Sequence, residues 1–134
     1  MANFSAAFEK PVYAAVRMVV GFLFACHGAQ KLFGVPGGGG NVPVFGLHGF
    51  HHASTSVIAA GVIEFGAGTL IAIGLLTHFA AFLASGEMAF AYFTVHAHGS
   101  FFPIVNKGEL AVLYCFVFLY IAVRGVGRWG IDKS

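Results

Sequence analysis

A carboxylate and two imidazoles stand inside an apolar run that is long enough to cross a lipid bilayer. The run GEMAFAYFTVHAH, residues 86–98, places Glu87, His96 and His98 among apolar side chains. An ionisable side chain in hydrocarbon costs several kcal/mol, so it usually faces a partner, a cavity or a binding site. The rest of the chain has to supply that partner, and this requirement constrains the fold more than any other feature.

The composition is that of an integral membrane protein. Of the 134 residues, 58% are hydrophobic and 9% are charged, whereas about 25% of residues are charged in soluble domains. Each spanning helix needs about 20 apolar residues, so four spans and their connections account for nearly the whole length. We expect an all-α fold, a four-helix transmembrane bundle, formed by one domain over residues 1–134.

Proline, glycine and capping residues mark the helix ends. Pro11 suits a first helical position, a glycine-rich loop follows from Gly34 to about Ala53, and Gly99 and Pro103 separate the last two helices. The predicted helices cover residues 11–33, 55–76, 77–98 and 106–124, approximately.

The distribution of basic residues predicts the orientation in the membrane. One end of the bundle would hold both termini and most of the cations, namely Lys10, Arg17, Arg124, Arg128 and Lys133, while Lys31 and Lys107 lie at the other. Positive-inside counting places the termini in the cytoplasm, and we expect a multi-pass protein of a bacterial inner membrane in contact with the lipid bilayer. A net charge of +2 without a basic stripe does not suggest a nucleic-acid partner.

Helical periodicity places polar groups on the inward faces of the helices. Glu64 lies between Gly61 and Gly68, on a small-residue face that a neighbouring helix can approach closely. In the third helix, His98 shares the face of Glu87 and His96 points the other way, unless the helix unwinds after Val95. Which histidine joins Glu87 stays open.

Two carboxylates near the middle of the membrane require neutralisation, by a proton or by a cation such as Arg17 or Lys31. The same groups also serve as glue between helices in small membrane bundles. We therefore keep a chemical role and a structural role open for Glu64 and Glu87.

The polar residues do not follow a known metal-binding pattern. The chain has no HExxH motif and no Glu-x-x-His pair of the di-iron type, so we expect neither a metal nor a haem, for which His27, His96 and His98 would be the candidates. The 16 phenylalanines and four tyrosines offer flat apolar walls for a quinone ring or a lipid tail, and they are also ordinary lipid-facing residues.

The whole chain resembles the DoxX family of small four-helix membrane proteins. The matching pieces are His27–Gly34, Glu64–Gly68, Gly74–Thr77, Glu87–Tyr92 with His96, Asn106–Glu109, Leu113–Cys115 and Gly125–Asp132. The resemblance implies a redox-associated membrane subunit, since relatives include the quinone-reducing subunit of thiosulfate:quinone oxidoreductase. It also favours His96 over His98 and implies a polar core of Arg17, His27, Lys31, Glu64, Glu87, His96 and Glu109.

We therefore expect a membrane subunit of a redox or respiratory assembly that binds or reduces quinone and has other membrane-protein subunits as partners. Glu64 and Glu87 would be the catalytic, proton-handling groups, and Arg17, His27, Lys31, His96 and Glu109 would bind the ligand. The alternative is a non-catalytic scaffold or assembly subunit of a larger membrane complex, so whether the chain is part of an enzyme stays open.

Overall fold

Four long antiparallel helices make up most of the protein. The structure is a computed structural model that describes residues 2–36, 45–46, 49–50 and 54–133. The elements are α1 (Ala2–Phe33), β1 (Phe45–Gly46), β2 (Gly49–Phe50), α2 (Thr55–Ile73), α3 (Thr77–Ala91), a π-helical turn (Tyr92–His96), α4 (Pro103–Asn106) and α5 (Glu109–Arg124). The two short strands pair antiparallel, Phe45 with Phe50. The predicted all-helical class is confirmed, and most of the predicted glycine-rich loop lies outside the described residues.

The first helix starts earlier than its proline suggested. It begins at Ala2, and Pro11 lies inside it. The residues before the proline include three alanines, which favour a helix strongly enough to extend it, and Glu9 holds this extension by an ion pair with Arg124 at 2.7 Å. At about 1.5 Å per residue α1 is about 48 Å long, which exceeds the roughly 30 Å of a bilayer core.

Two backbone features move the other helix ends from their predicted positions. Gly74 takes a left-handed conformation (φ 71°) and ends α2 at Ile73, where we had expected the helix to reach residue 76. Lys107 is also left-handed (φ 61°), so the last long helix, α5, begins at Glu109 and not at residue 106. The single turn α4 (Pro103–Asn106) precedes this break.

Glycines bring α1 and α2 into direct backbone contact. A Cβ atom at Gly21 would lie 2.6 Å from the backbone nitrogen of Ala72, and one at Gly28 would lie 2.7 Å from the carbonyl oxygen of Gly61. A Cβ at Gly68 would in turn lie 2.7 Å from the carbonyl oxygen of Gly21. Close approach over small residues is how helices associate in membranes, where lipid is as apolar as any side chain.

Aromatic rings fill the space between α1 and α5, and α3 packs along α5. Phe24 is buried and its ring centroid lies 4.6 Å from that of Phe118 and 5.4 Å from that of Tyr114. The outward faces of the same helices are apolar and exposed, including Phe82, Phe93, Leu113 and Phe116. Among the described residues, Phe4–Phe33 and Thr55–Ile73 are long and apolar enough to cross a membrane.

The residues after α5 fold back over the turn between α2 and α3. The backbone N–H of Asp132 donates a hydrogen bond to the carbonyl of Gly74 at 2.7 Å. The Asp132 carboxylate accepts hydrogen bonds from the backbone N–H groups of Leu76 and Thr77 at 2.9 and 2.8 Å, and from the Thr77 hydroxyl at 2.9 Å. A residue distant in sequence thus satisfies N–H groups that the first turn of α3 leaves free.

Arg17 links the end of α2 to the chain after α5 from inside the bundle. Its side chain is fully buried, and Nη1 donates hydrogen bonds to the carbonyls of Ile71 (2.6 Å) and Ala72 (3.0 Å) at the end of α2. Nη2 donates to the carbonyls of Arg128 (3.2 Å) and Trp129 (3.0 Å). We call Arg17, Asp132 and these backbone partners the tail clamp.

Candidate functional site

A polar cavity of about 1130 Å³ lies between the long helices. It extends from Phe79, near the start of α3, to Lys107, just before α5, and its walls are largely apolar. We call this space the polar cavity, after the polar side chains in its lining: His27, Lys31, Ser56, Glu64, Glu87, Thr94, His96, Lys107 and Tyr114. All four long helices therefore contribute to it.

An ion pair joins α1 to α2 at the wall of the polar cavity. Lys31 Nζ donates a hydrogen bond to Glu64 Oε1. The Glu64 side chain is 3% exposed and that of Lys31 is 28% exposed. Glu64 points inward because its neighbours on α2, Gly61 and Gly68, are also buried against α1. The second carboxylate oxygen, Oε2, is buried and has no hydrogen-bond partner among the described residues.

Glu87 reaches the same cavity from α3. Glu64 and Lys31 line this cavity as well, so the two carboxylates and the ammonium border one polar space. Glu87 Oε2 is also buried, without a hydrogen-bond partner in the described part of the chain. Buried polar atoms are normally satisfied, and an orphaned one calls for an explanation such as a bound water, proton or ligand.

A histidine and a tyrosine form the α1 and α5 sides of the polar cavity. The ring of His27 meets that of Tyr114 edge to face, with centroids 6.0 Å apart. Tyr114 is held from behind by Phe118, whose ring lies nearly parallel at 5.5 Å. The imidazole is therefore placed against a fixed aromatic surface while it borders the cavity.

The π-helical turn decides which histidine joins Glu87. The Ala97 N–H donates to the carbonyl of Tyr92, five residues earlier, at 2.9 Å. The wider turn rotates the following residues away from their α-helical positions, so His96 lines the polar cavity. His98 is exposed, and its Nε2–H donates to the Thr94 carbonyl at 2.7 Å. Of the two alternatives left open, the structure therefore has the one in which the regular helix ends early, and the spacing of 3.6 residues per turn does not extend to His98.

Asn106 organises the segment around His96. His96 Nδ1–H donates to the Asn106 carbonyl at 3.3 Å, which leaves Nε2 of the neutral ring as an acceptor. The Asn106 side chain donates to the Tyr92 hydroxyl (3.2 Å) and to the Ser100 carbonyl (2.8 Å) and accepts from the Gly108 N–H (2.8 Å). The Tyr92 hydroxyl donates to the carbonyl of Phe101.

Two predicted ligand-binding residues lie outside the polar cavity. We expected Arg17 to pair with Glu64 or Glu87 or to reach the surface, but both of its Nη atoms bind backbone carbonyls of the tail clamp. Glu109 is exposed in the first turn of α5, where a carboxylate suits the positive end of the helix dipole. Neither side chain lines the polar cavity, and each has a structural setting of its own, in the tail clamp for Arg17 and in the first turn of α5 for Glu109.

Sequence reasoning also missed lining residues. Tyr114 belonged to one of the pieces that match the family, but it was given no role in the site. Lys107 was considered only in the count of basic residues at the two ends of the bundle. The sequence Asn106-Lys107-Gly108 could have been interpreted as a break in the chain before α5. Such a break turns the chain at Lys107, and this turn lets the lysine side chain face the end of the polar cavity. Among residues 2–36, 45–46, 49–50 and 54–133, the structure shows no group of three or more His, Cys, Asp or Glu side chains arranged to hold a metal ion.

An apolar exterior around a cavity lined by Lys31, Glu64 and Glu87 is typical of a small helical membrane protein. The chain belongs to the DoxX family, whose profile matches residues 12–97. It is 40% identical over 133 residues to an uncharacterized protein of Haemophilus influenzae, a match that covers 93% of this chain and 92% of the relative. No solved structure matches the chain significantly.

Proposed function

We propose that the protein is the membrane subunit of a redox or respiratory assembly and that its polar cavity binds a quinone. The observation that carries the proposal is the pair of orphaned carboxylate oxygens, Glu64 Oε2 and Glu87 Oε2, beside a large cavity with apolar walls. Arg17 Nε is also without a partner among the described residues, but only the two carboxylates line the polar cavity, where a ligand, a proton or a water molecule would satisfy them.

The residues of the polar cavity fit a quinone in size and in chemistry. Its volume of about 1130 Å³ slightly exceeds the usual range of ligand sites, which is about 300–1,000 Å³. Phe82, Leu83 and Phe90 supply apolar wall, and polar groups stand at separate points on it. A bound quinone would accept two electrons and two protons; in this proposal the electrons come from a redox subunit of the assembly.

The two glutamates have different tasks in this proposal. Oε1 of Glu64 accepts from Lys31, so Glu64 fixes the ammonium, whose remaining N–H groups are donors for a ligand oxygen. Glu87 has no such ion pair among the described residues and is the better candidate to hold and release a proton. His27 and His96 border the cavity from opposite helices and orient the ligand through hydrogen bonds.

We further propose that α1, α2, α3 with its π-helical turn, and α5 all span the membrane as a four-helix bundle. α3 and the turn together cover Thr77–His96, and their exposed phenylalanines would be unfavourable in water. Lys10, Arg124, Arg128 and Lys133 lie at one end of this bundle, which supports cytoplasmic termini and a bacterial inner membrane.

The test is equilibrium dialysis of a short-chain quinone against the purified protein in nanodiscs. We expect saturable binding to the wild type and an affinity about 10-fold lower, or about 1.4 kcal/mol, for Glu87→Gln. Glu109→Gln is the matched control, because it makes the same change on an exposed carboxylate outside the polar cavity.

The dialysis experiment also distinguishes quinone binding from the scaffold alternative. Absence of quinone binding by folded wild-type protein would overturn the proposal. If the protein is a scaffold, the Glu64→Gln and Glu87→Gln variants should fold or assemble poorly. They should then show no loss of quinone binding apart from this defect. Circular dichroism and gel filtration of each variant distinguish the two results.

A further inference from the structure

A second cavity lies at the opposite end of the bundle, between the start of α1, the start of α3 and the chain after α5. Its volume is about 740 Å³. We call it the tail cavity, and its charged lining residues are Lys10, His78, Arg124, Arg128, Asp132 and Lys133. It shares Phe79 with the polar cavity.

The charges of the tail cavity are strongly unbalanced. Lys10, Arg128 and Lys133 are exposed cations, and no ion pair holds any of them in the part of the chain that the structure describes. Arg124 is engaged by Glu9 at 2.7 Å. The carboxylate of Asp132 accepts hydrogen bonds from the N–H groups of Leu76 and Thr77 and forms no ion pair with these cations among the described residues. Arg128 lies over the Trp129 ring, 5.8 Å from its centroid. The lining therefore carries more positive than negative charge.

Apolar surface lies next to these cations. Leu76 and Phe79 line the tail cavity and are 58% and 66% exposed. From Phe79 an exposed apolar strip continues along α3 through Phe82 and Leu83, which line the polar cavity. A ligand that carries a phosphate and a long apolar chain would match both surfaces at once, since the phosphate would meet the cations and the chain would follow the strip.

We infer that the tail cavity binds the phosphate group of an anionic phospholipid, with an acyl chain lying over Phe79 along α3. Cationic side chains near an anionic membrane surface attract its lipids, and here at least three of them line one open pocket. This inference does not depend on quinone binding, because it concerns the other end of the bundle.

The experiment compares thermal unfolding in a neutral detergent after addition of phosphatidylglycerol, phosphatidylcholine or inorganic phosphate. We expect phosphatidylglycerol to raise the Tm in a saturable way and phosphatidylcholine to have little effect. The gain should be lost in the double variant Lys10→Gln/Arg128→Gln. It should persist in Lys107→Gln, which removes a cation at the far end of the polar cavity.

A charge-preserving variant keeps the test decisive if the double variant is poorly folded. Lys10→Arg/Arg128→Lys should retain the gain, and the wild-type gain should fall at about 1 M NaCl, where the Debye length is about 3 Å. Equal stabilisation by inorganic phosphate would overturn the lipid and identify a free phosphate as the ligand. A gain that survives Lys10→Gln/Arg128→Gln, or no gain from either anion, would overturn the site itself.

Discussion

The Asp132 carboxylate accepts hydrogen bonds from both the backbone N–H and the hydroxyl of Thr77, at 2.8 and 2.9 Å. Residues 55 positions apart in the sequence therefore share one cap. The position before the helix, Leu76, has no side-chain cap of its own, so Asp132 supplies from the end of the chain what a local serine or aspartate supplies in most helices.

This cap makes stability depend on pH. Hydrogen bonds from the N–H groups of Thr77 and then Leu76 hold the pKa of Asp132 below its ordinary value of 3.8. A lowered carboxyl pKa contributes stability that is fully present above the ordinary value and is lost as the pH falls through the folded-state value. Asp132→Asn should therefore lower the Tm at pH 7, and the difference from the wild type should shrink below about pH 3.8. Thermal scans of both proteins across this range test it; a difference that stays constant down to acid pH would contradict it.

Arg17→Lys should release the tail from the bundle. A lysine carries three donors on one nitrogen and cannot reproduce the planar fork that reaches four carbonyls. We expect a loss of about 2–3 kcal/mol, the worth of one or two charged hydrogen bonds, and faster tryptic cleavage at Arg124 and Arg128. Arg124→Lys is the control, since its pair with Glu9 is exposed and exposed pairs are worth about 0–1 kcal/mol. Equal protease sensitivity of the two variants would count against the tail clamp.

Gly28→Ala should separate α1 from α2. The new Cβ would lie 2.7 Å from the Gly61 carbonyl oxygen, a backbone atom that cannot move alone. We expect a clearly lower Tm, with a cost of about 1–3 kcal/mol as for other overpacked cores. Gly66→Ala is the matched control on α2, because a Cβ there meets nothing within 4 Å, and alanine favours a helix over glycine by about 0.5–1 kcal/mol. A Gly28→Ala protein as stable as Gly66→Ala would contradict the close helix contact.

Lys31 and Glu64 should behave as a coupled pair in a double-mutant cycle. Removing one partner of a fully buried pair costs about 3–5 kcal/mol, and the 28% exposure of Lys31 reduces our expectation for Lys31→Met to about 1–3 kcal/mol. The double variant Lys31→Met/Glu64→Gln should recover part of this loss, because it leaves no unpaired carboxylate at position 64. Chemical unfolding of the four proteins measures the coupling, and purely additive effects would exclude it.

The two histidines near the cavity mouth should differ in ligand binding. His96→Ala should weaken binding of a short-chain quinone about 10-fold, because this ring borders the polar cavity. His98→Ala should leave the affinity unchanged, since its exposed ring donates to the Thr94 carbonyl within its own turn. Equilibrium dialysis of the two variants checks the assignment, and a larger effect at His98 would reverse it.

Local patterns sufficed for the helices and for the inward direction of Glu64. Apolar runs located the four long helices, and the glycines at positions 61 and 68 marked the face of α2 that meets α1. These features depend on residues three or four apart, which a helix brings together by itself. The structure brings His27, Lys31 and Glu87 to one cavity, and their part in ligand binding stays a prediction.

The errors concern contacts that no local pattern contains. The π-helical turn occurs together with a hydrogen bond from His96 to the Asn106 carbonyl. A helical wheel drawn from the sequence of one helix does not contain this contact with a later segment. Arg17 was assigned to the glutamates because opposite charges attract, but carbonyls at the end of α2 and in the tail lie within its reach. The tail itself contains Gly125 and Gly127, both with positive φ, which allow the reversal that brings Asp132 to α3.

Because glycines let α1 and α2 touch through their backbones, this helix pair is stiffer than the rest of the bundle. Backbone lies directly on backbone at Gly21, Gly28 and Gly68, so at these three contacts no side chain can change rotamer to let the helices part. The Lys31–Glu64 ion pair links the same two helices. We therefore expect the α1–α2 pair to stay fixed when the polar cavity changes its width, and α3 and α5 to move instead.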